Sequence, residues 1–424
     1  MSKRDADERA ENGSRSDRLW TPVFICLTAL TFCGFLVSQG LNSGTSVYLS
    51  LTGMGSTLAG VLGALFSFGA GFTRLIAGPG ADRYGRSRFI VCGLAILVVA
   101  TILPAFTLGP VVLTCCRAAQ GVGFSMATTA AATAAADVLP VSRLGEGIGY
   151  YGLGQALAMS IGPAFALWLV STDPAENIFF GLAAVAAIGL AFSFTIRYER
   201  HPQSLPAGSA YRRRIEQGRA PSAEAGREAL GLRRLFEPRA LAGAIPMCVL
   251  SPVYGYAIFF SGLFGTTLGV GNAGLFFTFS ALVMLVLRAL SGTFMDRVRP
   301  LFILLVAVAG GMVAFSIQLL IAGWAPSPAT SALYYLSGGF YGVFIGLSQP
   351  LNQSVAVKNT PPERWGAANA LVLLALDVGC GVGAAALGAV NDRLGFGATL
   401  VIVLCFLMAG LATAAKTYPR PERR

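Results

Sequence analysis

The sequence predicts an all-α integral membrane protein, with twelve transmembrane helices in two pseudo-symmetric six-helix bundles. Three observations carry this expectation. Of 424 residues, 54% are hydrophobic and only 12% are charged, whereas soluble domains carry about a quarter charged residues. Apolar runs longer than the ~18 residues that cross a bilayer recur along the chain. The two halves also repeat one another in register. A membrane β-barrel would instead alternate over ~10-residue strands, and no such alternation is present.

The spans are expected at 21–47, 57–81, 89–108, 111–136, 145–171 and 177–196, then at 239–266, 272–295, 301–323, 329–354, 365–390 and 396–415. The organisation that follows is a polar tail (1–20), a first bundle (21–196), a central loop (197–238), a second bundle (239–415) and a short tail (416–424). The polar start and the length of the first apolar run predict a retained span rather than a cleaved signal peptide. Loops that face the cytoplasm if the N-terminus is inside hold 27 of the 31 Lys and Arg residues, and the opposite loops hold only Arg393. That bias predicts both termini cytoplasmic, in a cell membrane. The net charge of +11 is then a topology signal, and no nucleic-acid partner is expected.

The central loop, with Pro202, Pro206, Pro221 and ten arginines from Arg197 to Arg239, reads as a linker with one amphipathic surface helix near 223–236. Arg212, Arg213 and Arg214 are placed either to stay solvated or to meet anionic lipid headgroups. All eight cysteines fall inside spans without metal-ligand spacing and read as small core residues.

The repeat is specific. Arg74-(x3)-Gly78-(x3)-Asp82-Arg83 recurs as Arg288-(x3)-Gly292-(x3)-Asp296-Arg297, displaced by 214. Gly121, Arg143, Gly145 and Gly162 meet Gly342, Arg364, Gly366 and Gly383, displaced by 221. An even number of spans per half makes the repeats parallel, about an axis along the membrane normal. Such a repeat places a substrate path between the halves near the midplane.

The run from Gly78 to Arg88, with Asp82, Arg83, Gly85 and Arg86, resembles the loop signature of the major facilitator superfamily. The likeness extends over the whole chain by span count, central loop and repeat. It implies a secondary transporter working by alternating access, with no cofactor. It also implies a gating latch of Arg74, Gly78, Asp82, Arg83, Gly85 and Arg86, echoed by Arg288, Gly292, Asp296 and Arg297, that closes in the outward-facing state. Glycines there allow tight helix packing, and Asp82 at a helix end can pair with arginine or face a helix N-terminus.

Within the family, Arg117-Ala-Ala-Gln120-Gly121 is similar to a fourth-span motif of drug:proton antiporters. Gly154, Gly162 and Pro163 resemble the fifth-span antiporter motif of exporters, whose proline bends the helix. The match is partial, because Ala158 replaces a glycine and Ala164-Phe165-Ala166 replaces a small glycine run. The first span also lacks the acid that many antiporters carry there, offering Gln39 and Asn42 instead.

A buried arginine costs a few kcal/mol in the bilayer, so Arg117 should face a cavity or a partner. Asp377 is the one acid deep in the spans, about 18 Å from the start of the eleventh at 1.5 Å per residue. Either it carries the coupling proton, together with Arg117, or it is fixed in a salt bridge to Arg74 or Arg117. The family analogy lines the cavity with spans one, four, seven and ten. The candidate contacts are therefore Gln39, Asn42, Arg117, Gln120, Tyr254, Tyr256, Tyr341, Gln349, Asn352 and Gln353, with Phe260 beside them. Aromatics with amides suit moderately apolar organic molecules, and the same groups can also join helices.

Other chemistries find no support. Gly269-x-Gly271-x-x-Gly274 mimics a dinucleotide fingerprint but follows no strand. Lys3, Lys358 and Lys416 fit no phosphate loop, and His201 is the sole histidine, so an ATP-driven pump and a zinc hydrolase are both excluded. The leading expectation is a monomeric, non-enzymatic exporter of small drug-like molecules by proton antiport, its partners being substrate, protons and membrane lipid. The alternatives are a transporter of a specific metabolite, such as a sugar or an anionic chelator, and a non-transporting membrane sensor or scaffold.

Overall fold

The computed structural model describes residues 18–106, 109–206, 208–216, 237–294, 298–361 and 364–418, without the side chains of Arg214, 288–294 and Gly366. The first half holds α1 (Pro22–Leu51), α2 (Ser56–Tyr84), α3 (Arg86–Ile102), α4 (Pro110–Val138), α5 (Leu144–Val170) and α6 (Asn177–Ser193). The second holds α7 (Leu241–Thr267), α8 (Leu275–Phe294), α9 (Pro300–Ile321) and α10 (Pro328–Lys358). A continuous helical stretch, Trp365–Thr417, then breaks at Gly395 (φ 76°, ψ 178°) into α11 (365–394) and α12 (396–417). No β-strand occurs among the described residues.

Local chemistry sets the ends. Thr21 caps α1 by accepting from the Phe24 amide at 3.2 Å, and Ser327 caps α10 by accepting from Thr330 at 3.1 Å. Proline occupies the first position of α1, α4, α9 and α10, where its missing N–H removes nothing from the helix. α2 and α3 meet at the single residue Gly85 (φ 99°), a left-handed corner open to glycine.

Among the described residues, seven helical stretches are long and apolar enough to cross a bilayer, one of them, Ala367–Thr417, covering two passes. α6 and the described part of α8 are shorter apolar helices. α4 and α10, richer in Gly, Ala, Ser, Thr and amides, lie outside that set. Their polarity fits helices that face protein rather than lipid.

Packing repeats the sequence symmetry. α1 packs on α5, α2 on α4, and α3 on α4 and α6; likewise α8 packs on α10, α9 on α10, and α7 and α9 on the stretch that forms α11 and α12. Equivalent glycines make equivalent contacts. A β-carbon on Gly121 would overlap the Phe66 carbonyl, and one on Gly342 would overlap the Ser280 carbonyl. The Gly162 position meets Leu36 of α1, and the Gly383 position meets Pro252 of α7. Lipid supplies no hydrophobic drive between helices, so such backbone approach holds each bundle together.

Between the halves, α2 packs along α11, α5 along α8 and α1 along α7. Ser43 Oγ donates to the Ile258 carbonyl at 2.8 Å, 215 positions away, which places this contact close to the pseudo-twofold axis. At the face away from the arginine-rich loops the halves touch closely: Gly60 lies against Ala384, Gly388 against Ser56, and Gly274 against Ala164. Toward the arginine-rich (basic) face, Gly78 of α2 and Gly145, Gly149 and Gly152 of α5 have no neighbour within reach of a β-carbon. The halves are thus closed against each other at the face away from the arginine-rich loops.

The central loop is not a plain linker. After α6 the chain folds back onto the first half, where Pro140 and Ser209 form an antiparallel bridge and Ala210–Glu216 is a short helix. Tyr198 and Tyr211 pack edge to face, with centroids 5.2 Å apart, so burial of this aromatic pair docks the described residues on either side of it, 196–206 and 208–216. Arg212 pairs with Glu216 at 3.1 Å rather than standing free. The amphipathic helix expected at 223–236 lies outside the described residues.

Gly121→Val and Gly342→Val should each destabilise the fold, since overpacking costs about 1–3 kcal/mol. Gly78→Val should leave stability unchanged. Thermal melting of the purified protein in detergent checks both outcomes.

Candidate functional site

A gap of about 20 Å³, room for roughly one water, lies where α1, α5, α7, α8 and α10 converge from both halves. Its polar lining comes from Gln39, Ser160, Ser280 and Tyr341, and Met159, Phe277 and Met284 are among its apolar walls. Tyr341 is 2% exposed, and its hydroxyl has no hydrogen-bond partner among the described residues. A buried unpaired hydroxyl costs about 1–3 kcal/mol, so this group stands ready for a polar guest. Pro163 also lines the gap, which ties the fifth-span motif to the centre.

The other expected contacts divide into separate places. Arg117 is 2% exposed and sits inside the first half. It donates to Gln120 Oε1 at 2.8 Å and to Asn42 Oδ1 at 2.5 Å, and it lies 4.8 Å from the centroid of the Phe66 ring. Gln120 passes the link on to the Ala100 carbonyl at 2.8 Å. Asn42, Arg117 and Gln120 thus tie α1, α3 and α4 together, and Arg117 faces neutral partners rather than the gap. Amide dipoles and a ring face offset the cost of burying its charge.

Tyr254 shares a 2.5 Å hydrogen bond with Ser348, while Tyr256 donates to Gln318 of α9 at 3.2 Å. Two positions along a helix are about 200° apart, so Tyr254 and Tyr256 cannot line one cavity, and Tyr256 turns away from the centre. Phe260 is likewise fully buried. Asn352 donates to the Ser348 carbonyl and accepts from Tyr418, tying α10 to the end of α12. Gln349 and Gln353 are half-buried on the basic side of α10.

Asp377 meets Arg74, with Nε–Oδ2 at 3.2 Å and side chains 15% and 18% exposed. Of its two possible arginine partners, Arg74 is the one in place. The pair joins α2 of the first half to α11 of the second, and Gly71 packs against Asp377 one turn away.

Asp82 and Arg86, expected to belong to a latch, form a network within the first half. Arg86 pairs with Asp82 at 2.9 Å and with the buried Asp137, to which Tyr198 also donates. Arg83 stacks on Tyr84 at 4.9 Å. Glu199, which sequence reasoning missed, accepts from the Arg86 and Ser87 amides at 2.8 and 3.0 Å. It thereby caps α3 with negative charge at its N-terminus. Arg288 and Gly292 fall in α8 with side chains outside the described residues, as do Asp296 and Arg297 entirely. Arg364, the repeat partner of Arg143, pairs with Glu237 at 2.8 Å, whereas Arg143 pairs with Glu146.

A second missed residue closes the opposite face. Asp392, at the far end of α11, accepts from the Ser56 and Thr57 amides at 2.7 and 2.6 Å, and Asn391 donates to Ser56 Oγ at 2.9 Å. The second half thus caps the N-terminus of α2 in the first. Partial burial pushes this carboxyl up, but the hydrogen bonds from Thr57 and Ser56 more than offset it and hold Asp392 below the usual carboxylate range. A sequence signal existed in the acid and amide at a span end. Its partners, however, are backbone groups more than 330 residues away. Among the described residues, no group of three or more His, Cys, Asp or Glu is arranged to hold a metal.

A family model described as Major Facilitator Superfamily matches residues 27–345. An uncharacterized MFS-type transporter of Mycobacterium tuberculosis is 31% identical over 116 residues, 27% of this chain and 20% of that protein. Another, from Methanocaldococcus jannaschii, is 20% identical over 382 residues, 89% of this chain and 91% of its own length. Among solved structures, the nucleoside transporter NupG aligns with a TM-score of 0.71 at 16% identity, over 93% of this chain and 98% of that one. A D-xylose-proton symporter aligns at 0.73 and 15% identity, over 94% and 98%. The xylose transporter XylE from E. coli, in a partially occluded inward open conformation, aligns at 0.71 and 14% identity, over 95% and 100%. At these identities the structural likeness is one of fold.

Because Asp392 is held ionised below its ordinary range, its contact with α2 should persist at neutral pH and down through pH ~4. It should be lost only as the pH falls through the depressed value. In a background lacking native cysteines, Asp392→Ala should speed labelling of a cysteine at position 67 from the opposite face several-fold at pH 7. Unchanged labelling would deny Asp392 a role in closing that face.

Proposed function

Because the chain belongs to the Major Facilitator Superfamily, we propose that it is a proton-coupled secondary transporter of a small, neutral, hydroxyl-bearing metabolite. It is a membrane transporter rather than an enzyme. The observation that carries the substrate class is the central gap. Its polar groups are an amide, two serines and the unpartnered Tyr341 hydroxyl, and among the described residues no Asp, Glu, Lys or Arg lines it. In this form the gap is closed down to about 20 Å³; once widened by movement of the halves, its neutral donors and acceptors beside methionine and phenylalanine match the polar edge and apolar face of a sugar or nucleoside. The structural relatives named as nucleoside and xylose transporters support that class.

This reading replaces drug export as the leading one. The fifth-span motif departs from the exporter pattern at Ala158 and at Ala164–Ala166. Arg117, the cation that an anionic chelator would need, is engaged inside the first half.

Coupling follows from the Arg74–Asp377 pair. Opening the closed face requires α2 to leave α11, which separates the two charges. Protonating Asp377 removes its attraction for Arg74 and lowers the cost of that separation, so protonation and opening favour one another. Substrate in the gap adds contacts from both halves and favours the closed intermediate through which each cycle passes.

Purified protein in liposomes, given a pH gradient and a panel of labelled sugars and nucleosides, tests this. Wild type should accumulate one of them, Asp377→Asn should lose gradient-driven accumulation while keeping substrate exchange, and Tyr341→Phe should raise KM about 5–50-fold, as loss of one hydrogen bond implies. Movement of lipophilic cations with no sugar or nucleoside flux would restore the drug-export reading, and flux insensitive to the gradient would remove proton coupling.

A further inference from the structure

A cleft of about 740 Å³ opens on the basic face of the first half, between the α2–α3 corner, the end of α6 and the docked helix Ala210–Glu216. That volume falls within the ~300–1,000 Å³ typical of ligand sites. Five arginines and two carboxylates line it. Both carboxylates are already engaged, Asp82 by Arg86 and Glu199 by the α3 amides. Arg88, Arg197 and Arg200 are exposed and have no carboxylate partner within salt-bridge distance among the described residues. Three guanidinium groups, one at the start of α3 and two in the turn after α6, therefore line one cleft without a carboxylate paired to them.

The cleft is also open sideways. α3 and α6 pack against each other and against α1 and α4, on the outer flank of the bundle. That flank exposes Val99, Ile188 and Phe194, and Phe194 lies in the cleft wall with Val91. Arginines at the helix ends above apolar side chains match the boundary between headgroups and acyl chains. A ligand that fills both parts is an anion with hydrocarbon attached.

We propose that this cleft binds the phosphate headgroup of an anionic phospholipid, held by Arg88, Arg197 and Arg200, with its acyl chains along α3 and α6. Arginine suits this role because its planar fork meets phosphate oxygens in pairs. The bound lipid bridges the α3 start, the α6 end and the docked segment, so it fastens that segment to the bundle.

Native mass spectrometry of the full-length protein in neutral detergent tests the site, with phosphatidylglycerol, phosphatidylcholine and inorganic phosphate as probes. Wild type should hold phosphatidylglycerol at least about tenfold more tightly than phosphatidylcholine. The triple variant Arg88→Gln, Arg197→Gln, Arg200→Gln should lose that preference. The variant Arg239→Gln, Arg299→Gln, Lys358→Gln removes equal charge elsewhere on the same face and should keep it. Equal loss in both would show diffuse attraction and overturn the site, and so would an undiminished preference in the first. Displacement of the lipid by equimolar inorganic phosphate would mark a soluble-anion site and overturn the lipid assignment. Should the triple variant fail to fold, Arg197→Gln alone should weaken phosphatidylglycerol binding about 2–5-fold, and no change would overturn the proposal.

Discussion

The seam between α2 and α11 governs the rest of the molecule. Its glycines, Gly60, Gly381 and Gly388, let one backbone lie against another, and bulkier residues there would hold the helices apart. Because the backbones touch, two carboxylates of α11 reach α2: Asp377 meets Arg74 in the interior, and Asp392 meets the first turn at the rim. Fifteen positions separate them, about 22 Å along the helix. The seam is thus pinned at both ends by charge and filled between them by contacts that carry almost no side chain.

Both halves follow one plan but are filled differently. The first carries a row of small buried residues, Ala127, Ala130, Ala131, Ala134 and Ala135, along α4, and it takes in Arg117 on neutral partners. The interior of the second is aromatic, with Phe276, Phe315, Tyr334, Tyr341 and Phe344 in mutual ring contact. The central gap falls where these fillings meet, which gives it an amide from α1 and a phenol from α10. The repeat shares its backbone contacts at Gly121 and Gly342, and the gap lies where the two halves differ.

Much of this was legible beforehand because the bilayer enforces it. Span boundaries agree to within a few residues, since hydrocarbon thickness sets helix length. The glycine spacing that marked the repeat is the same spacing that packs the helices. What escaped has a common cause. Asp392 and Glu199 act on backbone amides remote in sequence, and no side-chain pattern announces an amide. Tyr254 and Tyr256 were grouped by proximity along the chain, though helical rotation sends them to opposite sides. Residues 197–238 read as loop by composition, yet a ring pair, one bridge and the Tyr198 and Glu199 hydrogen bonds dock the described residues between 197 and 216.

The paired glycine contacts have a consequence for how the protein tolerates change. Each bundle is closed by its own set of backbone approaches, and if the bundles move as units those internal contacts are kept in the open and closed forms alike. Substitutions buried within one bundle alter durability, and those along the seams alter turnover. Robustness and speed can therefore be adjusted independently, by evolution or by an engineer.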